Sequence, residues 1–465
     1  MINNFKEFRI AKHFFLLNAI FLLLSLCIVN ISIAEEEFPW ELFYPAIIKK
    51  SIDIDVVRVG NKGTYHSIQE AIDSARDGAI IQVSQGTYFE NLIITDPKRL
   101  TLQGGWNQEF TSLSGDSSLT VIDGGENDSV FYIQDDHGGT ISLRIEGFTI
   151  QNGKAHKGGG FFIQSLIGSI NVTLTNNTIS RNIANNEGGG IRVNSQNMGS
   201  AVVTLTGNVI TGNTVTHLNL ELQGGWEGGG IAAYSASSGT TTLQLTNNLI
   251  TENKVGWGGG GILGYAFGSN SMTNIVLTNN IIAWNEAEMG AAIFSCSGIT
   301  DPAYLIPGGS VIWTLTNNII TGNIASKWVG GIVLYSGSIY GDGGTISLSS
   351  HNDIIWGNPD SYQSPQLAVI VEEGKSGIAT AEVKYSDIGP IESIPGGTYT
   401  IDNVINADPQ FVDPINHVLL LKDDSPCVDA GDPSSAYQDY SRPPAKGTER
   451  DDMGAYGGPN NFFWP

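Results

Sequence analysis

The 465-residue chain has few cysteines and few basic residues, and each shortage excludes a class of protein. It has three cysteines, of which only Cys296 and Cys427 lie beyond the first 34 residues, so a dense disulfide framework is excluded. Whether these two pair stays open. Lysine and arginine number 23 against 46 acidic residues, a net charge of −23, so we expect no nucleic-acid partner.

The first 34 residues have the pattern of a secretory signal. Basic residues at positions 6, 9 and 12 precede an apolar run over residues 14–29, and residues 32–34 offer small side chains for cleavage. We therefore expect residues 1–34 to be a signal peptide, and the mature chain to be secreted or at the cell surface. No later run is long enough to span a bilayer, so we expect no transmembrane segment after its removal.

A phrase repeats along the chain, and it predicts the architecture. L-T-N-N-T-I-S-R-N begins at Leu174, and near-copies begin at Leu205, Leu245, Leu277 and Leu315. The second Asn of each copy falls at Asn177, Asn208, Asn248, Asn280 and Asn318. A second phrase, G-G-G-I, runs in phase with the first. A repeat of this length with variable insertions indicates stacked identical units, that is, a solenoid.

Within each unit, apolar residues alternate with outward ones at a period of two, as at Ile191 and Val193 around Arg192. Each unit therefore predicts about three short strands, and parallel stacking places every repeated residue about 4.8 Å from its copy. We expect the five Asn residues above to form a ladder, because Asn tolerates the positive φ of a tight bend and its amide can bond from coil to coil. The isoleucine two residues after each of them should point inward.

The two ends differ from the repeat. Residues 35–55 are predicted to be a linker, residues 56–400 the solenoid and residues 401–465 a C-terminal cap or tail. Ser67 and Glu70 form a capping box before an apolar stripe, which predicts a helix that caps the first coil. The tail is rich in Asp, Pro and Gly, and we expect it to form an irregular cap that wraps back over the last coils.

These motifs resemble a known superfamily. The opening G-T-Y-H-S-I-Q-E-A-I-D-S-A and the N-N-x-I-x-x-N coils look like the pectin lyase-like superfamily of right-handed parallel β-helix proteins. The endings A-D-P-Q-F-V-D-P, S-P-C-V-D-A-G-D-P and D-M-G-A-Y-G-G-P are similar to a tail of secreted bacterial members. The G-G-G-I and I-x-x-N phrases also resemble polymorphic outer-membrane proteins and related adhesins. The resemblance implies an all-β fold: a single-stranded right-handed parallel β-helix with an N-terminal capping helix and an irregular C-terminal cap.

For activity, the resemblance implies several possibilities, because the superfamily holds lyases, hydrolases, binding proteins and adhesins. Its lyases use an Arg or Lys base beside Ca²⁺-binding acids on one exposed sheet. The outward positions of the G-G-G-I strands are Phe162, Arg192, Ala232, Leu263, Phe294 and Val333. Arg192 is the one cation among them and has no acid in its column, so we expect a solvated charge, with a catalytic base as the alternative.

A column of acids and aromatic residues precedes each G-G-G-I phrase. It contains Glu187, Glu227, Trp226, Trp257 and Trp328, while Tyr234 and Tyr265 recur three residues after the anchor. Sugar rings stack on aromatic planes and bond to carboxylates, so these tryptophans and tyrosines are candidate carbohydrate-binding residues. The competing interpretation is that the aromatic side chains stack on one another. Glu187 and Glu227 are also candidate catalytic carboxylates for glycoside hydrolysis.

We expect a monomer that recognises an extracellular or cell-surface polysaccharide, without catalysis, cofactor or metal. The alternatives are a polysaccharide lyase or glycoside hydrolase of the same fold, and an adhesin or envelope-structural protein. The tail aspartates at positions 423, 424, 429 and 432 could together bind one calcium ion, and the alternative is that they only form turns.

Overall fold

Three long parallel sheets wind around one apolar core in the computed structural model, which describes residues 55–135, 138–216, 227–298, 308–337, 342–360, 365–393 and 396–461. The chain is an all-β, right-handed parallel β-helix, as the sequence predicts. The expected signal peptide and most of the linker lie outside the described residues. No helix among the described residues is long and apolar enough to cross a membrane.

Each complete coil contributes one strand to each long sheet, and β1 and β37 at the two ends belong to sheet A alone. Sheet A contains β1 (Val56–Val59), β2 (Ala79–Ser84), β5 (Arg99–Trp106), β8 (Thr140–Glu146), β12 (Ser169–Thr175), β16 (Ser200–Thr206), β20 (Thr240–Thr246), β23 (Met272–Thr278), β27 (Ser310–Thr316), β31 (Thr345–His351), β34 (Ile378–Lys384) and β37 (Thr398–Asp402). Sheet B contains β3 (Gly86–Phe89), β6 (Thr120–Asp123), β9 (Thr149–Gln151), β13 (Thr178–Ser180), β17 (Val209–Thr211), β21 (Leu249–Thr251), β24 (Ile281–Ala283), β28 (Ile319–Thr321), β32 (Ile354–Trp356) and β35 (Asp387–Ile388). Sheet C contains β4 (Leu92–Ile94), β7 (Phe131–Asp135), β11 (Phe161–Ser165), β15 (Ile191–Ser195), β19 (Ile231–Ala236), β22 (Ile262–Phe267), β26 (Ile293–Ser297), β30 (Ile332–Ser336), β33 (Leu367–Val371) and β36 (Ile391–Ser393).

Some coils carry a fourth short strand, one more than the sequence predicts. These strands are β10 (Lys154–Lys157), β14 (Ile183–Glu187) and β18 (Thr214–Val215), and, in a separate pair, β25 (Glu286–Met289) and β29 (Ile324–Trp328). The tail adds an antiparallel hairpin of β38 (Phe411–Asp413) and β39 (Val418–Leu421). The fourth strands fall where the predicted column of acids and aromatic residues lies, so that column has a regular backbone in several coils.

A file of buried asparagines runs along the cylinder at the start of sheet B. Side-chain Nδ2 groups donate to the next Oδ1 from Asn177 to Asn208 (3.1 Å), Asn208 to Asn248 (3.0 Å), Asn248 to Asn280 (3.0 Å) and Asn280 to Asn318 (3.1 Å). Each Nδ2 also bonds a carbonyl of the preceding coil, as Asn208 does to Leu174 (2.9 Å). These are the five residues that the sequence places in a ladder, and Ile179 and its four counterparts are buried beside them.

The bend and the ladder use different residues. The left-handed conformation lies one residue before each ladder position, with φ of 51° at Asn176, 66° at Gly207, 53° at Asn247, 55° at Asn279 and 54° at Asn317. The sequence-based expectation assigned both roles to the same Asn. In the structure the first residue of the N-N pair makes the bend, and the second residue makes the amide bonds.

A second ladder closes the next bend. Its Nδ2-to-Oδ1 bonds run from Asn182 to Asn213, Asn253, Asn285, Asn323 and Asn358, at 2.8–3.0 Å, and end at Gln366. The glycine triplets lie against it. A Cβ on Gly189 would stand 2.6 Å from the carbonyl oxygen of Gly229, so this close approach of coils requires glycine.

The helix α1 (Ile68–Ser74) caps the first coil. Ile68, Ala71 and Ile72 are buried on the apolar core, and the Ser67 side chain accepts from the backbone N–H of Glu70. The acid that completes the cap is Glu90, which accepts from the backbone N–H groups of Ile68 (2.8 Å) and Gln69 (2.9 Å). Glu90 lies in the connection between β3 and β4, so it ties the helix to the first coil of the solenoid.

The tail packs along the side of the last coils. Leu419, Cys427, Met453 and Tyr456 form an apolar cluster with the outward face of sheet B, for example at Ile319. Cys296 and Cys427 are both buried and free, so no disulfide links them. The tail wraps over the last coils as expected, and it covers the outward face of sheet B rather than the end of the solenoid.

Candidate ligand-binding face

The outward face of sheet C is covered over most of its length. Ala232, Leu263, Phe294 and Val333 alternate away from the core as predicted, yet all four are buried in a second apolar cluster. Half-buried Trp257, Met289 and Trp328 pack against this cluster. This stretch of the outward face is therefore covered, because the segments before the G-G-G-I phrases fold over the sheet.

Arg192 is held in a buried ion-pair group. It is 4% exposed, and its Nε donates to Glu187 Oε2 at 2.7 Å, while Lys157 Nζ donates to Glu187 Oε1 at 2.9 Å. Burial raises the pKa of Glu187, but the charges of Arg192 and Lys157 outweigh burial and leave this pKa below its usual value. Arg192 is therefore no solvated strand-edge charge, since its guanidinium lies 5.0 Å from the ring of Phe162 and 5.6 Å from that of Tyr234.

Two donors on β15 have no acceptor among the residues that the structure describes. Arg192 Nη1 and Asn194 Nδ2 are buried without a hydrogen-bond partner, and Asn194 is 1% exposed. The two residues are two positions apart, so both side chains leave the same face of sheet C. A buried donor without an acceptor costs about 1–3 kcal/mol, so an oxygen-rich ligand that reached this point would gain two strong contacts.

The strands before β15 continue this face as two parallel rows. The strand register aligns Ile93, Tyr132, Phe162 and Arg192 in one row, and Gln134, Gln164 and Asn194 in the other. Ile93 is exposed, and the members from β7 and β11 are half-buried. The rings of Tyr132 and Phe162 stack at 4.8 Å and 6°. An apolar row beside an amide row is the arrangement in which one chain-like ligand contacts both kinds of group.

Glu227 lies on the coil after Glu187. The backbone N–H of Gly188 donates to the Glu227 carbonyl at 2.9 Å, and the Glu227 carboxylate accepts from the backbone N–H of Trp257 at 2.7 Å. Burial, with a smaller contribution from the charge of Glu288, raises the pKa of Glu227 to about 7. Burial therefore acts on both carboxyl groups, but the charges of Arg192 and Lys157 outweigh it at Glu187, whereas burial prevails at Glu227.

The described aromatic residues that were predicted to bind carbohydrate lie in or against the apolar cluster that covers sheet C, and not on its open part. Tyr234 and Tyr265 are buried and pack edge to face at 5.6 Å, and Tyr265 donates to the Gly298 carbonyl at 2.6 Å. Trp257 packs edge to face on Phe294 at 5.3 Å, and Trp328 is half-buried on the same cluster. Trp226 lies outside the described residues. The two tyrosines lie on the outward side of sheet C, in register with Asn194, but the cluster covers them and leaves them 4% and 3% exposed.

The charged residues of the tail do not converge on a metal site. Asp423 pairs with Lys446, Asp429 accepts from Thr448, and Asp432 accepts from His351 at 2.9 Å. Within the described ranges no group of three or more His, Cys, Asp or Glu side chains could hold a metal ion.

Sequence reasoning missed the amide row. Its signal was available, because Gln134, Gln164 and Asn194 each stand three residues after the first apolar residue of successive strands of the repeat. The aromatic residues that were predicted to bind carbohydrate lie on more C-terminal coils, where the outward face is covered. The open part of the face lies on β4, β7 and β11, next to the donors of β15.

Comparison with known proteins gives a family and a similar solved structure. The model of the family described as "Protein of unknown function (DUF1565)" matches residues 55–301. No curated protein sequence matches the chain. A solved structure titled "Crystal structure of pectate lyase Pel9A" aligns over 87% of this chain and 97% of that chain, with 12% sequence identity and a TM-score of 0.45. Neither the family description nor this likeness in fold names a substrate for the chain.

Proposed function

The chain belongs to the DUF1565 family, and from that premise we propose that it recognises an extracellular or cell-surface polysaccharide without cleaving it. The proposed site is the open face formed by the apolar row and the amide row on β4, β7, β11 and β15. The observation that carries the proposal is a pair of buried donors at the end of these rows, Arg192 Nη1 and Asn194 Nδ2, which have no hydrogen-bond partner within the described ranges.

The rows suit a linear glycan. Sugar rings have apolar C–H faces and a rim of hydroxyl oxygens, so Ile93, Tyr132 and Phe162 can contact the former while amide groups bond the latter. Adjacent strands are about 4.8 Å apart, so the four side chains of the apolar row span roughly 14 Å along the cylinder. A polysaccharide lying along the axis would reach Arg192 and Asn194 at one end.

The state of Glu187 supports binding without catalysis. Each of its carboxylate oxygens already accepts from a cation, one from Lys157 and the other from Arg192. A nucleophile or general base must have an oxygen directed at the substrate. Glu187 instead holds Arg192 in place, and the net positive charge of this trio suits an oxygen acceptor.

A second candidate is polysaccharide hydrolysis, and one observation favours it. Glu187 and Glu227 lie on adjacent coils, with the pKa of the first lowered and that of the second raised to about 7. Environments that separate two carboxyl pKa values in this way are typical of a general acid and its ionised partner. Release of reducing ends by the wild-type chain, abolished in Glu227→Gln, would favour hydrolysis over binding alone.

The test of the main proposal is a screen of neutral and acidic polysaccharides, followed by calorimetry on those retained. Phe162→Ala and Gln164→Ala should each weaken binding about tenfold, the equivalent of one lost contact of roughly 1.4 kcal/mol. Thr314→Ala is the matched control, since Thr314 is half-buried on the outward face of sheet A. Retention of no polysaccharide, or equal affinity in the two variants and the control, would exclude this site.

A further inference from the structure

The C-terminal end of the solenoid is open. The last strand of sheet A, β37, pairs with β34 on one side, and within the described residues no strand pairs with its other edge. The register aligns Tyr399 with buried Ala381 and Ile401 with buried Val383, so both belong to the inward columns. Yet Tyr399 is 39% exposed and Ile401 is 52% exposed. Inward residues of the last coil therefore face solvent.

The N-terminal end of the solenoid, by contrast, is closed. Helix α1 covers the inward residues of the first coil, and Tyr65 bonds across the free edge of β1 through Arg58 and Gly60. The C-terminal tail, which would have been the natural cover for β37, packs instead on the outward face of sheet B. An unpaired strand with exposed apolar residues is a template for another strand.

We propose that a second copy of this chain covers this end, so that the protein forms a dimer in place of the monomer expected from the sequence. The two β37 strands pair antiparallel around a twofold axis at Thr400. In this register Tyr399 of each copy faces Ile401 of the other, on the inward side. Thr400 faces Thr400, and Thr398 faces Asp402, on the outward side. Aromatic–β-branched pairs and Thr–Thr pairs are among the favourable cross-strand combinations, so the sequence T-Y-T-I-D is complementary to itself.

Charge and register both select this pairing. Asp402 is the one charged residue of β37, and it lies opposite uncharged Thr398 of the other copy and beside Lys384 of its own β34. A slip of one residue would place inward side chains opposite outward ones and separate the two cores. A slip of two residues would leave either Tyr399 or Ile401 facing its own copy and the other apolar residue without an apolar partner. A twofold axis also closes the assembly at two copies.

The mass of the purified chain in solution tests the proposal. The mature chain should sediment at about twice its single-chain mass at micromolar concentration. Ile401→Lys should give the single-chain mass, because it places two cations in the joined core. Ile415→Lys, at an 88% exposed position of the tail, adds the same charge elsewhere and should keep the double mass. A single-chain mass for the wild type, or a double mass for Ile401→Lys, would overturn the proposal.

A cysteine at the twofold axis gives a second readout, because a covalent link also records a dimer that associates weakly. Facing residues of an antiparallel pair have Cβ atoms about 4.5–5.5 Å apart, close to disulfide geometry. Thr400→Cys should form a covalent dimer on mild oxidation, and Thr398→Cys, which would face Asp402, should not. Cys296 and Cys427 are buried and should not interfere. Equal cross-linking of the two variants, or none in Thr400→Cys, would contradict the proposed register.

Discussion

The side chain of Asn318 donates to the carboxylate of Asp353 at 2.9 Å, so the first amide ladder ends on an acid. The backbone N–H of Asn318 donates to the same Oδ1 at 2.7 Å, and Ser350 Oγ donates to the other oxygen at 2.6 Å. Asp353 is fully buried, and burial raises its pKa to about 6 despite these donors. The ladder therefore carries one titratable group at its end.

This arrangement predicts that the protein becomes more stable as the pH falls from about 8 to about 5. Burial raises the pKa of Asp353 to about 6, of Asp452 to about 7 and of Asp451 to about 8. Each value lies above the unfolded pKa of about 3.9, so the folded state binds these protons more tightly and gains stability as they bind. Thermal unfolding across this pH range measures the effect.

Asp353→Asn isolates one contribution to that slope. The gain in unfolding free energy between pH 8 and pH 5 should shrink by roughly 1 kcal/mol, because the folded pKa of about 6 lies one unit above the lower end of this range and one pKa unit corresponds to about 1.4 kcal/mol. Glu187 has the opposite effect on stability. Because its pKa is lowered in the folded state, its protonation destabilises the protein, and this happens only at more acidic pH. An unchanged pH slope in Asp353→Asn would show that this carboxyl does not titrate in the folded state as described.

The ladder predicts a large cost for replacing an asparagine in its middle. Asn248→Ala removes the acceptor of two donors on Asn208 and the donor to the Leu205 carbonyl, all in the buried interior. With about 1–3 kcal/mol for each unsatisfied group, the unfolding free energy should fall by roughly 3–5 kcal/mol. Urea unfolding gives the value. Asn171→Ala, at an exposed position on β12, is the control and should change it by less than about 0.5 kcal/mol.

Replacing either of two glutamates that pair with lysines should lower the unfolding free energy, by a large amount at Glu187 and by a small amount at Glu288. Glu187→Gln leaves buried Arg192 without its counter-charge, and breaking a buried ion pair costs about 3–5 kcal/mol. Glu288→Gln removes a partner of Lys327 in an exposed pair, which contributes about 0–1 kcal/mol. Chemical unfolding of both variants gives the comparison. Similar losses in the two variants would mean that Arg192 finds another acceptor or reaches water.

The tail is predicted to loosen when Asp451 is replaced. Its carboxylate accepts from the side-chain amides of Asn317, at 3.0 and 3.1 Å, and of Asn352. Asp451→Ala leaves both amides without this acceptor, so a protease should cleave the tail faster while the β-sheet spectrum of the solenoid persists. Asp424→Ala is the control, because Asp424 is exposed. Equal cleavage of the two variants would show that apolar contacts alone hold the tail.

The fold was largely predictable because each coil repeats the same short sequence motif. A residue such as Asn248 recurs once per coil, and parallel stacking turns this recurrence into a column in space. The second ladder through Asn182 and Asn213 lies in the same phrase and follows from the same logic. The extra strands and the side on which the tail docks depend on contacts between segments without a shared period, so no local pattern indicates them.

The candidate site was less predictable for a physical reason. Alternation shows that Arg192 and Phe294 leave the sheet on the outer side, but not whether another segment covers them. Arg192 lies beside open Phe162, whereas Phe294 is beneath Trp257. The covering segments differ in length from coil to coil, and their packing is decided by individual side chains. Periodicity therefore locates a face and leaves its accessibility undetermined.

All amides of the first ladder point the same way, each donating from one coil to the following one. Their dipoles therefore add along the cylinder, with the positive pole where Asn318 meets Asp353. The rod thus has an electrical polarity of its own, comparable in origin to that of an α-helix. The anionic terminator at the positive pole neutralises it within the protein, while the neutral Gln366 leaves the second array without such compensation.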